Sequence, residues 1–289
     1  MEMFITQALN GFVLGALYVL MALGLSIIFG MIGVVNFAHG VLFALGAYLA
    51  TTLQAVIGFG PALIVAPLLV AVLGMALETA LLRRIYTSDP GLGLLLTFGV
   101  ALIVEQGIRA LWGPAGLPFN IPSAFSGALR IGGIEYPGYR TFVLGFTLLV
   151  LVATWLLLIK THWGRVIRAG SRDPEMVQMM GIDLSRVFTL VFGLGTFMAA
   201  TAGVLAAPIW SVQPSMGTSA LMPSFAVVVI GGLGSFWGAV IAGLIVGELV
   251  GMTVMYWPVA SDLVVYVLMA LVLLVRPRGL MGEVWERFD

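Results

Sequence analysis

The chain has 289 residues, 61% of them apolar and 9% charged, with a formal net charge of zero. Soluble domains carry about 25% charged residues, so this composition cannot clothe an ordinary water-facing surface, and its neutral balance gives a nucleic-acid partner no footing. With no cysteine in the sequence, disulfides, Cys-ligated zinc and thiol catalysis are excluded.

In chain order, the opening residues carry Glu2 and no basic side chain, and from Met3 to Leu77 there is no Asp, Glu, Lys or Arg. That run is too long for the apolar part of a signal peptide and is read as membrane spans from its start. A second uncharged run covers 187–247. A hydrocarbon core about 30 Å thick takes roughly 20 residues per helix, so each run holds several spans. In lipid every backbone N–H and C=O must be paired within the protein. A barrel would instead alternate polarity over strands of about 10 residues, a pattern this sequence lacks. The expected architecture is therefore all-α: a polytopic transmembrane bundle forming one membrane domain over 1–289. Spans are predicted at 8–30, 36–57, 61–82, 92–112, 141–159, 187–207, 236–255 and 259–275. A ninth apolar stretch, 218–234, is interrupted by Pro223, Gly231, Gly232 and Gly234 and either crosses fully or enters and returns.

Orientation follows from basic residues, which collect on the cytoplasmic side. Arg83 and Arg84, then Lys160, Arg165, Arg168, Arg172 and Arg186, then Arg276, Arg278 and Arg287 mark 83–91, 160–186 and the C-terminus as cytoplasmic. The glycine- and proline-rich segment 113–140 becomes an external loop. An even number of crossings must then join 160–186 to the C-terminus, which favours 218–234 as a real crossing. Small residues recur every fourth position at Gly195, Ala199 and Gly203 and at Gly243, Gly247 and Gly251. Such rows bring helices close, either inside this chain or at a subunit interface. Trp112, Trp163, Trp210 and Trp257 fall near predicted span ends, as in an interfacial belt.

Catalytic constellations are missing. The two histidines, His39 and His162, form no His-Glu-x-x-His pair, no Gly-x-Ser-x-Gly elbow occurs, and the single lysine, Lys160, stands in no phosphate-binding loop. Any ATP-driven work needs an ATPase on another polypeptide.

Three features remain. Within 160–186, Asp173-Pro174-Glu175 has the form of a helix start and Gly181 that of a stop. This predicts a short helix over about 174–180, outside the membrane. Its apolar residues Met176, Val177, Met179 and Met180 are too many for a solvated turn; the helix docks into a partner or rests on the lipid interface. Second, Glu78, Glu105, Arg109 and Glu248 are ionisable residues within or beside spans, and hence functional candidates; Glu105 and Arg109, four apart, are placed to neutralise each other. Third, the run Gly30-Met-Ile-Gly33-Val-Val-Asn36-Phe37-Ala38-His39-Gly40 breaks apolar sequence with glycines and two hydrogen-bonding side chains. Transporters build substrate sites at such helix breaks, and the Gly231-Gly232-Leu233-Gly234 stretch is a second, similar break. The alternative is structural, with Asn36 satisfying the following helix start and His39 a backbone carbonyl.

These residues also resemble a family. Asn10-Gly11, Gly15, Tyr18, the Gly33–Gly40 run, Met180-Gly181-Ile182, Gly231-Gly232-Leu233-Gly234-Ser235 and Arg276-Pro277-Arg278-Gly279-Leu280 are similar to LivH/LivM permeases of bacterial ABC importers for branched-chain amino acids. The resemblance covers nearly the whole chain, and Asn36-Phe37-Ala38-His39-Gly40 points to the LivH-like member. The Glu175-x5-Gly181 spacing resembles the loop by which such permeases engage their ATPases, although Met176 and Val177 stand where the fuller pattern has two alanines. The resemblance implies a second, LivM-like permease subunit, two ABC ATPase subunits that bind the ATP, and an external substrate-binding protein. No cofactor is expected in this chain. It implies a substrate path through Asn36, Phe37, His39, Gly40, Gly231, Gly232 and Gly234. Arg172, Asp173, Glu175, Met179, Met180 and Gly181 become the ATPase-coupling residues. A multi-pass protein of the bacterial inner membrane importing branched-chain or related amino acids is the reading that results. The competing reading is a secondary transporter or facilitator for urea, an amide or an amino acid, working through Glu105 or Glu248.

Overall fold

The computed structural model describes residues 2–86, 89–131 and 134–282. The helices are α1 (Glu2–Ile32), α2 (Ala38–Ile57), α3 (Phe59–Ala80), α4 (Pro90–Trp112), α5 (Gly138–Lys160), α6 (His162–Arg172), α7 (Pro174–Met179), α8 (Leu184–Trp210), α9 (Met216–Gly231), α10 (Phe236–Tyr256) and α11 (Ser261–Val275). Among the described residues, eight helical stretches are long and apolar enough to cross a bilayer, and they coincide with the eight expected spans. α9 is shorter. Its 16 residues reach about 24 Å at 1.5 Å per residue. Pro223 lies inside it without ending it, contrary to expectation; a proline removes one helical hydrogen bond, and tight neighbours in a bundle tolerate that loss. The discontinuity falls at Gly232 and Gly234, whose φ values are +102° and +79°.

α1 and α8 form the centre. In their most apolar windows 78% and 83% of residues are buried, against 11% in the window spanning α11. Glycine makes this centre possible. A Cβ at Gly195 would stand 2.7 Å from the Gly24 carbonyl oxygen, and one at Gly15 would stand 2.9 Å from that of Gly243. A side chain at Gly247 would overlap the Gly15 backbone, and one at Gly203 the Phe43 carbonyl. Both rows of small residues are thus spent on packing within the chain. Of the four tryptophans read as a belt, Trp163 and Trp257 are exposed. Trp210 turns inward against Tyr18 and Phe43, and Trp112 packs on Tyr48 and donates to Thr52 Oγ1 at 2.9 Å.

The two ends of the bundle differ. At one, here the hairpin face, the segment expected as a plain loop holds an antiparallel pair, β1 (Ala128–Ile131) and β2 (Ile134–Pro137). The Tyr136 hydroxyl donates to Asn10 Oδ1 at 3.1 Å and the Leu117 amide to the Val212 carbonyl at 2.7 Å. The other, basic face carries Arg83, α6, α7 and Arg276. There the Leu280 and Met281 amides donate to the Ile230 and Gly231 carbonyls at 2.8 and 2.9 Å, satisfying acceptors that a helix end leaves open. α9 and α11 therefore end at the same face. Arg287 lies outside the described residues.

Candidate transport site

The segment 160–183 folds as two short helices. α6 was not foreseen. Thr161 Oγ1 accepts from the Gly164 amide at 3.1 Å to start it, and Val166 and Ile167 anchor it against Met31 of α1 and Leu184 of α8. Then Asp173 Oδ1 accepts from the Met176 amide at 2.9 Å, Pro174 opens α7, Glu175 sits in its first turn, and Gly181 adopts φ +80°. The four apolar residues of this helix divide. Val177 is 3% exposed and joins the Met31 cluster, whereas Met176, Met179 and Met180 are 51%, 76% and 72% exposed. One residue holds the helix to the bundle; three methionines face away from it.

In the break between α1 and α2, Gly33 is exposed and Val34, Val35 and Phe37 are half-buried, while Asn36, Ala38 and His39 are buried. Gly33, at φ +75°, turns the chain out of α1. Asn36 Oδ1 accepts from the Ala38 amide at 3.0 Å, and its carbonyl accepts from the His39 amide at 3.1 Å. The Phe37 amide donates to Thr97 Oγ1 at 3.2 Å, and its ring meets Phe98 edge-on. His39 Nε2 lies 3.1 Å from the Met21 carbonyl oxygen, which only accepts, so Nε2 carries a proton and Nδ1 of the neutral ring is an acceptor. Met21 is 11 residues from the end of α1, about 16 Å along the axis, which puts His39 deep in the bundle. Gly40 lets α2 meet Gly217 of α9 backbone to backbone. Both structural roles foreseen for Asn36 and His39 are thus occupied, yet each residue keeps one idle atom. Asn36 Nδ2, a donor, and His39 Nδ1, an acceptor, are buried without a partner among the described residues. Asn36 also lines a small cavity with Ala38, Leu77, Leu81, Leu82, Leu96, Thr97, Val100 and Phe192.

Gly231, Gly232 and Gly234 do not line that cavity. They sit at the basic end of α9, where Gly232 and Gly279 pack so closely that neither has room for a side chain, and Gly234 abuts Gly30. The two glycine breaks thus touch at Gly30 and Gly234, and the cavity at Asn36 is lined from the first of them alone.

The charged candidates separate equally clearly. Arg109 Nη2 meets Glu105 Oε1 at 2.7 Å, the expected pair. Glu248 on α10 packs over Gly11, its Oε1 buried and without a partner among the described residues. Glu78 is fully buried and receives Arg83 Nη2 at 3.0 Å, Arg83 Nε at 3.3 Å, Tyr86 Oη at 2.9 Å and Thr189 Oγ1 at 2.7 Å. Burial first, and then the Glu78 carboxylate, push the phenol of Tyr86 far up, so it stays a donor. The sequence marks Glu78 as an ionisable candidate within or beside a span but names none of these partners. Thr189 is 111 residues away and Arg83 lies outside the helical i+3 and i+4 spacings, so no local signal joined them.

Polar breaks and idle hydrogen-bonding atoms inside an otherwise apolar bundle are the construction of a membrane transport protein. A family model described as the permease component of branched-chain amino acid transport systems matches residues 7–274. The chain belongs to that family: it is a multi-pass permease of the inner membrane, not an enzyme, and a member of an ABC transporter with other subunits. It is 31% identical to the high-affinity branched-chain amino acid transport system permease protein LivH of Salmonella typhimurium, across 97% of this chain and 96% of that one. LivH of Escherichia coli K12 matches to the same extent. BraD of Pseudomonas aeruginosa, a permease protein of the same description, is 28% identical over the same shares.

Proposed function

We propose that this chain forms half of the translocation path of an importer for branched-chain or related amino acids, as a single membrane domain over 1–289. A LivM-like permease supplies the other half, two ABC ATPases bind the ATP, and an external protein delivers the substrate. The basic face is cytoplasmic, with 160–186 as the coupling loop and 113–140 outside. The observation that carries this reading is α7, a capped helix fixed by Val177 that turns Met176, Met179 and Met180 away from its own bundle. Apolar surface so displayed gains by burial against a partner, and the ATPase is the partner whose work must reach the spans. Arg172, Asp173, Glu175 and Gly181 fix the helix and its exit. Asn36 and His39 supply one free donor and one free acceptor along the path, the complement of a carboxylate and an ammonium group. Phe37 and Gly40 shape that wall, and the glycines 231, 232 and 234 form the path's basic end. The facilitator reading loses Glu105, which Arg109 already neutralises.

Met179→Asp and Gly181→Val test the proposal. A non-glycine residue at a left-handed position costs on the order of 1 kcal/mol, and β-branching redirects the chain leaving α7. Both proteins should reach the membrane, since neither change touches a span. Both should lose co-purifying ATPase, or keep it with hydrolysis deaf to loaded binding protein. Full ATP-dependent uptake by both variants would remove the coupling role.

A further inference from the structure

Glu78 lies on neither α7 nor the α1–α2 break, yet it is bonded between them. Its carboxylate ends α3 and takes donors from two directions. Arg83 and Tyr86 come from the turn after α3, and Thr189 comes from α8. Arg83 also donates to the Ser185 carbonyl at 3.2 Å and reaches Thr189 Oγ1. The first turn of α8 is thereby bolted to the end of α3. On one side of the bolt, α8 follows directly from α7 through residues 180–183, and Asp183 Oδ1 accepts from the Ser185 amide at 3.0 Å. On the other side stand Leu77, Leu81 and Leu82, neighbours of Glu78 and Arg83 in sequence, and Phe192, one turn beyond Thr189. Those four line the cavity at Asn36.

We propose that Glu78 is a positioning residue that ties the cavity wall to the coupling helix: when α7 moves α8, the Glu78–Arg83–Thr189 bolt makes the end of α3 move with it, and the leucines beside Asn36 open or close together with Phe192. The inference rests on the coupling role proposed for α7. Its physical ground is that a buried carboxylate deprived of its partners is costly, so the bolt resists parting and the two helix ends travel as one body. Without it α8 would slide past α3, and ATP would be spent without shifting the wall.

The experiment uses the whole transporter, purified through a tag on this chain with its co-expressed partners and reconstituted with loaded binding protein. The absence of native cysteine permits spin labels in this chain at Ala80 with Leu190 on α8, and at Ala80 with Leu95 on α4, all exposed positions outside the cavity lining. In the parent protein the 80–190 distance should be the same with and without ATP, while the 80–95 distance changes. Thr189→Val and Glu78→Gln should broaden the 80–190 distance in ATP and abolish the 80–95 change. Stimulation of ATP hydrolysis by loaded binding protein should fall about fivefold or more, the lower range of an ordinary coupling. Thr189→Val, which removes one donor of four, keeps the test open should Glu78→Gln fail to fold. Met179→Asp, run beside them, separates the two readings. If it abolishes stimulation while Thr189→Val leaves both distances and stimulation unchanged, the bolt is only a structural pair and this inference is overturned. If Met179→Asp itself leaves stimulation intact, the coupling reading has failed, and the inference resting on it fails too.

Discussion

α7 and the α1–α2 junction begin alike and end as opposites. Each opens with a short polar side chain accepting from a nearby amide, Asp173 from Met176 and Asn36 from Ala38. Beyond that, α7 displays apolar methionines outside the bundle, while the junction buries an idle donor and an idle acceptor inside it. Each is the wrong surface for its place. Apolar groups on the outside gain by meeting a protein, and polar groups on the inside gain by meeting a polar solute. The paired mismatch assigns the first to force transmission and the second to the path.

The largest expected effect comes from reversing the anchor. Val177→Asp puts a carboxylate among Met31, Val166, Ile167 and Leu184, where an unpaired charge is far costlier than a lost hydrogen bond. We expect a loss of about 4 kcal/mol or more, in the class of severe core substitutions, read as disappearance of folded protein from detergent extracts. Met179→Asp, two positions on, should leave extraction unchanged and lower uptake by roughly tenfold to a hundredfold, the usual size of a broken coupling. Equal damage from the two would erase the division between anchor and display.

Asn36→Leu should lower uptake by about tenfold, the weight of one hydrogen bond to a charged group, with ATPase assembly intact. Asn36→Asp sharpens the point, because an ionised carboxylate can still accept from Ala38 but offers no donor to the path. Uptake retained by aspartate would return Asn36 to a purely structural role. His39→Leu removes the bond to Met21 and should cost about 1 kcal/mol in thermal stability, together with a loss of uptake; a stability loss alone would mean that Nδ1 faces no substrate. The smallest effect is expected from Glu105→Gln combined with Arg109→Gln. A helical i, i+4 pair contributes a few tenths of a kcal/mol, so stability and uptake should barely move. A collapse of uptake would instead revive a carboxylate-driven mechanism.

The legible parts of this molecule are those with local causes. Bilayer-length apolar runs gave the spans, and Asp173, Pro174 and Gly181 gave α7, because caps and left-handed turns are written within a few residues. α6 escaped notice because Gly164 and Gly170 argue against a helix, although Thr161 was present to cap one; those glycines instead admit the α5 carbonyls and Met31 to close contact. The division of α7 into one buried and three exposed residues depends on where α1, α6 and α8 lie, and six residues are too few to show a periodic face. Pro223 misled because its cost is local and the packing that offsets it is not. The Glu78 bolt joins residues that only the tertiary fold brings together.

Crosslinking from α7 tests the central claim most directly. In a chain without native cysteine, single cysteines at Met176, Met179 and Met180 would be paired with a short thiol-reactive photocrosslinker in native membranes. Val177 and the outward-facing Leu68 serve as comparison positions. The account predicts an adduct with the ATPase subunit from the three methionine positions, strongest at 179, and none from 177 or 68. An adduct with lipid alone from Met179, or the same ATPase adduct from Leu68, would contradict it.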